Sequence, residues 1–220
     1  MKNSLGKSSP KITFFWGLVG LSAAFALFSF LVLDDPIQKK TAAYDPNQLR
    51  GDFKAVLSII GDLGHSFILV LAVALVWSLD RARPWAGFQL LIAGLLAGGV
   101  TAIVKVLTQR PRPFIAAGVE PNLAFEKMLS SSEMESFPSG HTSTAFAVAV
   151  SLSQLYPQGR YLFFSLACLV GFQRVITQAH YPSDVLAGAV VGSLAAWIAA
   201  TLFNRNRLRS GSMMAKATES

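Results

Sequence analysis

Cysteine occurs once in 220 residues, at Cys168, so no intrachain disulfide can form. Its place inside an apolar block reads as a small buried hydrophobe. Charge is scarce as well: 14% of residues are charged, against about 25% in a soluble domain. Histidine occurs three times, and no H-E-x-x-H or Cys/His spacing of a zinc site is present. No long single-charge run or array of stacking aromatics accompanies the net charge of +7, which excludes a nucleic-acid footprint. Apolar residues are what the chain has in excess, 52% of it. They gather in blocks near the ~20 residues that cross a bilayer. The expected class is an all-α, polytopic membrane protein.

Six blocks read as spans: residues 12–33, 63–79, 85–107, 138–155, 161–178 and 182–203. The first is longer than the ~7–15-residue apolar region of a signal peptide. It ends in Phe30-Leu31-Val32-Leu33-Asp34-Asp35 and is read as a retained helix. Between the first two spans, Asp45-Pro46-Asn47-Gln48 has the pattern of a helix start. Leu49, Phe53, Val56, Leu57 and Ile60 then share one face. That pattern suits a helix lying in the interface, and equally one packed on the protein's own surface. Gly94/Gly98 and Gly188/Gly192 fall at helix-packing spacing. The expected organisation is a cytoplasmic segment at 1–11, a six-helix membrane domain at 12–204 and a basic, disordered tail at 205–220.

Charge sets the orientation. The termini and the tight loops hold Lys2, Lys7, Lys11, Arg81, Arg83, Arg160, Arg205, Arg207, Arg209 and Lys216, with only Asp80 and Glu219 against them. The other side carries nine acids: Asp34, Asp35, Asp45, Asp52, Asp62, Glu120, Glu126, Glu133 and Glu135. The positive-inside rule places both termini in the cytoplasm, as for a protein of the bacterial inner membrane.

Ionisable residues at span ends mark function. In the six-span arrangement Lys105, Arg112, His141, Arg174, His180 and Asp184 fall on the outer side near one depth. Each alone has a plain reading: Lys105 can snorkel, Arg112 can be a loop cation, and Arg174 can pair with a carboxylate. Together they stand beside Pro138-Ser139-Gly140-His141, a run that opens a helix. Free N–H groups and the helix dipole make such a start an anion site. Pro138 suits the first helical position, Gly140 lets a ligand approach, and Ser139 adds a hydroxyl. Three cations and backbone amides answer the charge of a phosphoryl group in transfer. Asp184, four residues after His180, can hold one ring nitrogen and leave the other as nucleophile. His141 would then protonate the leaving oxygen. Two histidines in these roles need neither metal nor cofactor.

These residues carry a resemblance. Lys105…Arg112-Pro113, Pro138-Ser139-Gly140-His141 and Arg174…His180…Asp184 are similar to the K-x6-R-P, P-S-G-H and S-R-x5-H-x3-D signature of the type-2 phosphatidic acid phosphatase superfamily. The resemblance implies a phosphohistidine at His180, an acid at His141, and phosphate contacts at Lys105, Arg112, Ser139, Gly140 and Arg174. Gln173 departs from the pattern, standing where the family has Ser, and leaves phosphate contact at that position open. Arg110 is a neighbouring candidate for substrate contact, and His65 reads as interfacial.

The expected function is hydrolysis of a lipid phosphate monoester or pyrophosphate at the outer face, with the lipid and the membrane as partners. Nothing in the residues names the lipid or an oligomeric state. A vanadate-dependent haloperoxidase uses a similar pocket, but a lipid-embedded site suits an amphiphile better than halide and peroxide. A phosphate or lipid transporter would need the cations, yet not Asp184 behind His180. Charge asymmetry also generates a topological test. In intact cells a Cys placed near Ser131 should be labelled by an impermeant reagent and one near Ser210 should not; the reverse pattern overturns the orientation.

Overall fold

The computed structural model describes residues 20–22, 24–42, 51–116 and 134–218. The segment 1–11, the helix start at 45–48 and most of the loop after Arg112 lie outside them. Among the described residues the fold is entirely helical. Helix α1 (Gly20–Thr41) has a π turn at Ser29–Leu33. Then follow α2 (Gly51–Asp62), α3 (Ser66–Leu79), α4 (Trp85–Thr108), the short α5 (Pro113–Ala116), α6 (Gly140–Leu155), α7 (Arg160–Ile176) and α8 (Pro182–Thr218). The last helix thus runs on through the stretch read as a basic tail.

Among the described residues four helices are long and apolar enough to cross a membrane: α1, α4, α7 and α8. The α2–α3 pair, bent by 62°, makes a fifth if it is one span. Large apolar side chains such as Leu71, Leu95, Ile103, Leu107, Leu162 and Phe172 face outward, the reverse of a soluble protein. This is an integral membrane protein. Cys168, expected to be buried, is exposed on α7 among such residues, because none of the described residues covers that face of the helix.

Helix α6 stands at the centre, packed by α8, α7 and α4. Its 16 residues are rich in Ala, Ser and Thr rather than Leu. Small side chains let neighbours come close, which in a bilayer replaces the hydrophobic drive that water would supply. Ala93 and Ala97 of α4, Ala147 of α6, and Ala195, Ala196 and Ala199 of α8 form one such core. A Cβ at Gly188 would stand 2.5 Å from the Ser139 carbonyl oxygen, and one at Gly192 would fall still closer to that of Ser143. The 94/98 pair is different: Gly94 meets Leu69 of α3, while Gly98 faces open space. Spacing alone overstates that second contact.

At the far end, Asp80 accepts from Arg83 Nε (2.8 Å) and the Tyr156 hydroxyl (2.8 Å), and Arg83 Nη1 donates to the Leu155 carbonyl (2.9 Å). The Tyr156 bond, with Arg83 beside it, holds the Asp80 carboxyl below the usual carboxylate range against a smaller effect of burial.

Gly192→Ala should be costly, since backbone rather than a pliable side chain fills the space; overpacking typically costs ~1–3 kcal/mol. Gly98→Ala should be neutral or slightly stabilising, as Ala is the better helix former. Thermal unfolding midpoints in one detergent check the contrast, and equal effects would contradict the packing described.

Candidate active site

Two helix N-termini meet beside the loops that follow α4 and α7. The first belongs to α6. Ser139, not Pro138, is its entry residue: its hydroxyl accepts from the Thr142 N–H (3.4 Å) and hydroxyl (2.9 Å). Pro138 therefore precedes the helix rather than opening it. The Ser139 N–H donates to the Asp184 carbonyl (3.0 Å) across the bundle. That leaves the N–H groups of the first turn, at Gly140 and His141, without a carbonyl one turn back. A Cβ on Gly140 would meet only Thr101 Cγ2, at 3.7 Å, an ordinary contact. Packing does not demand glycine there, whereas a ligand approaching the backbone would.

The second N-terminus belongs to α8. Asp184 reaches back to the Tyr181 N–H with Oδ2 (2.9 Å), a capping-box contact made by a carboxylate in the first turn. The same oxygen accepts from the Ser136 hydroxyl (2.5 Å), while Oδ1 takes Arg110 Nη1 (2.6 Å). Asp184 stands behind His180 as the sequence predicts, but 3.7 Å from its Nδ1. The shorter contact of Nδ1 is the Ser136 carbonyl at 2.7 Å. A carbonyl only accepts, so Nδ1 carries the proton and Nε2 keeps its lone pair. Ser136 thus serves both partners, its carbonyl on His180 and its hydroxyl on Asp184. Burial pushes the His180 pKa down to about 4, although Asp184 pulls it up, so the ring is neutral at pH 7.

The loop that presents His180 hangs from Arg174, whose carbonyl accepts the N–H groups of Ala179 (3.1 Å) and His180 (3.1 Å). Within it Gln178 turns the chain at φ 57°. Arg174 is buried, and its Nε donates to Gln173 Oε1 (2.5 Å). Gln173 aims the guanidinium from the position where Ser was expected. Lys105 and Arg112 both lie within electrostatic reach of His180, and Lys105 pairs with Glu135 at 3.9 Å. His141 lies within reach of Arg174, Arg112 and His180. Its Nε2 is closed off from solvent and has no hydrogen-bond partner among the described residues. All eight residues expected from the sequence therefore belong to one neighbourhood, the Ser139 hydroxyl being engaged as a cap.

Others were not expected there. His65, read as interfacial, stands edge-on to His141 with ring centroids 5.8 Å apart. Gly64 and Gly61 lie so close that a Cβ would press on His141 and Arg174 respectively. Ser136 sits in an unremarked polar run, and its role comes from a carbonyl, which no sequence pattern reports. Asp34 reads as a span end but is buried against the start of α8, accepting from the Ser183 N–H (3.1 Å) and hydroxyl (2.5 Å).

With this geometry, comparison with known proteins is direct. The PAP2 superfamily model matches residues 86–208. The chain belongs to the PAP2 superfamily. A relative named lipid A 1-phosphatase, from Rhizobium johnstonii, is 34% identical over 123 residues, covering 55% of this chain and 49% of that protein. An undecaprenyl-diphosphatase from Sulfolobus acidocaldarius is 25% identical over 163 residues, 74% of this chain and 76% of the relative. The chain spans about half the length of the lipid A 1-phosphatases it matches. Among solved structures, the transmembrane PAP2-type phosphatidylglycerolphosphate phosphatase from Bacillus subtilis superposes with a TM-score of 0.66. It covers 88% of this chain and 96% of its own at 22% identity, and so speaks for the fold. The matched region takes in every PAP2 signature residue, and α1 to α3 lie before it.

The open space over Gly140 generates a test. Gly140→Ala should leave the thermal midpoint within ~2 °C while weakening inhibition by vanadate tenfold or more, since a methyl would occupy the approach to the first-turn amides. Loss of stability with unchanged inhibition would mean the glycine serves packing alone.

Proposed function

We propose that this PAP2 protein hydrolyses a lipid phosphate monoester or pyrophosphate through a phosphohistidine on His180. The observation that carries the reading is the Ser136 carbonyl on His180 Nδ1, which leaves Nε2 unprotonated. In the first step Nε2 attacks phosphorus, the P–N bond forms, and the P–O bond to the lipid breaks. His141 gives its proton to the departing oxygen. In the second step His141 takes a proton from water, which attacks phosphorus and releases phosphate from His180. Lys105, Arg112 and Arg174, with the Gly140 and His141 amides, offset charge on the equatorial oxygens, so the steps call for no metal or cofactor. Asp184 steadies the imidazolium that forms in the first step.

An apolar groove supports a lipid as substrate. About 760 Å³ in volume, it is lined by Leu27, Phe30, Val104, Phe137, Ala187 and Val190, with Arg110 and Thr108 also on its wall. Its walls include Pro111 and Pro138, the chain neighbours of Arg112 and Ser139. A chain laid there stays within apolar surroundings while its headgroup reaches the cations, each buried CH₂ contributing ~0.8 kcal/mol. In this reading α3 and α6 supply the fifth and sixth crossings, α2 lies in the interface, and the site opens on the outer face of a bacterial inner membrane. The charge asymmetry of the loops supports that orientation.

Phosphate release from purified protein tests the proposal. His180→Ala should leave essentially no turnover with any substrate. His141→Ala should be most damaging for a lipid alkoxide and milder for an aryl phosphate, general acid catalysis being worth about 10²–10⁴-fold. Activity should persist in EDTA. A neutral His180 is required, so kcat/KM should fall as pH falls through about 4. Trapped phosphate on residue 141, or equal loss for good and poor leaving groups, would overturn the division of labour.

A further inference from the structure

Arg110 lies next to the phosphate cations in sequence, yet its guanidinium is turned away to two carboxylates. Nη1 meets Asp184 Oδ1 at 2.6 Å and Ser183 Oγ at 2.8 Å, and Nη2 meets Asp34 Oδ2 at 2.7 Å. The plane stacks on the Tyr181 ring at 3.9 Å, with Phe30 at 4.9 Å on the α1 side. Asp184 is fully buried and Asp34 is 2% exposed. One cation is therefore shared by two buried carboxylates, one from α8 and one from α1.

Charge sharing has a consequence at His180. A guanidinium devoted to Asp184 alone would neutralise that carboxylate. With Asp34 drawing on its other edge, Asp184 keeps negative charge for the side it turns toward His180. Asp34 also fixes the α8 start through Ser183, and α1 is seated by Gln38 Nε2 on the Pro113 carbonyl (3.1 Å) and by Gln178 Nε2 on the Thr41 carbonyl (2.9 Å). Ile37, Gln38 and Thr41 line a small crevice together with His180, Tyr181 and Pro182.

We infer that Asp34 is a positioning residue for the reaction, acting through Arg110 to set the charge and rotamer of Asp184 behind His180. The first helix, outside the matched PAP2 region, then completes the site. This rests on the phosphohistidine reading, in which Asp184 supports His180.

The test is a double-mutant cycle on the full chain in detergent, with an aryl phosphate as substrate. Asp34→Asn should lower kcat about tenfold or more with KM within about twofold. In an Asp184→Asn background the same change should cost less than about twofold, because the residue it acts through is already altered. The exposed neighbour gives the control, Asp35→Asn, with kcat unchanged. A pH profile gives a second readout. The groups facing His180 are Lys105, Arg112, Asp184 and His141. Only Asp184 favours the imidazolium, so Asp34→Asn should move the acid limb of kcat/KM to lower pH, by roughly half a unit. Should Asp34→Asn fail to fold, Arg110→Lys, which keeps the charge but cannot bridge both carboxylates, goes through the same cycle with the same expectation. Equal losses in both backgrounds with an unmoved acid limb would make the network a structural brace and overturn the inference. So would unchanged kcat in Asp34→Asn beside a large loss in Asp184→Asn. Full turnover in Asp184→Asn alone would instead overturn the phosphohistidine reading, and this inference with it.

Discussion

Gly192 lets the Ser143 carbonyl approach α8 so closely that no side chain fits between them, and Gly188 does the same for Ser139 one turn earlier. That backbone contact holds the starts of α6 and α8 side by side. The Ser139 N–H can then reach the Asp184 carbonyl. Everything chemical in this protein hangs on that pairing. Helix α6 brings its free first-turn amides and His141, α8 brings Asp184, and His180 sits on the loop between α7 and α8. A bilayer offers no hydrophobic drive to press helices together, so the close approach has to come from small residues and van der Waals contact.

Buried charge in such a place is costly unless it is paired and hydrogen-bonded. The site meets this with extensive sharing rather than with isolated pairs. Ser136 gives its carbonyl to His180 and its hydroxyl to Asp184, and Arg110 spans Asp184 and Asp34. Gln173 takes Arg174 Nε, which leaves the other edge of that guanidinium for other contacts. Among the described residues the buried His141 Nε2 has no hydrogen-bond partner, a state it shares with Ser151 Oγ and Gln178 Oε1.

The proposed division between site and groove suits the chemistry of an amphiphile. Polar groups concentrate where the helix starts and loops meet, and α1, α4 and α8 contribute apolar walls to the groove. The relatives named for lipid A and for an undecaprenyl diphosphate share the phosphate and differ in the chains attached to it.

Much of this was legible in the sequence. Apolar blocks of bilayer length and their charge asymmetry require a helical membrane protein, because only internally bonded backbone survives in lipid. Fixed spacings also single out the residues proposed to hold phosphate, since motif residues on a helix start keep their local geometry. Other features were decided only by packing. Helix α6 looks like one span among six, yet it is the buried centre, because burial depends on neighbours and not on its own composition. His65 and Asp34 look like interfacial and span-end residues. A 62° bend between α2 and α3 and the docking of α1 also bring them to His141 and Arg110, contacts that no sequence pattern reports. The Ser136 carbonyl lies furthest from any sequence pattern, since every residue has one and only the fold aims it at His180. Spacing along a helix records which residues share its face; which face meets which partner is settled by helix crossings, and these depend on the whole bundle.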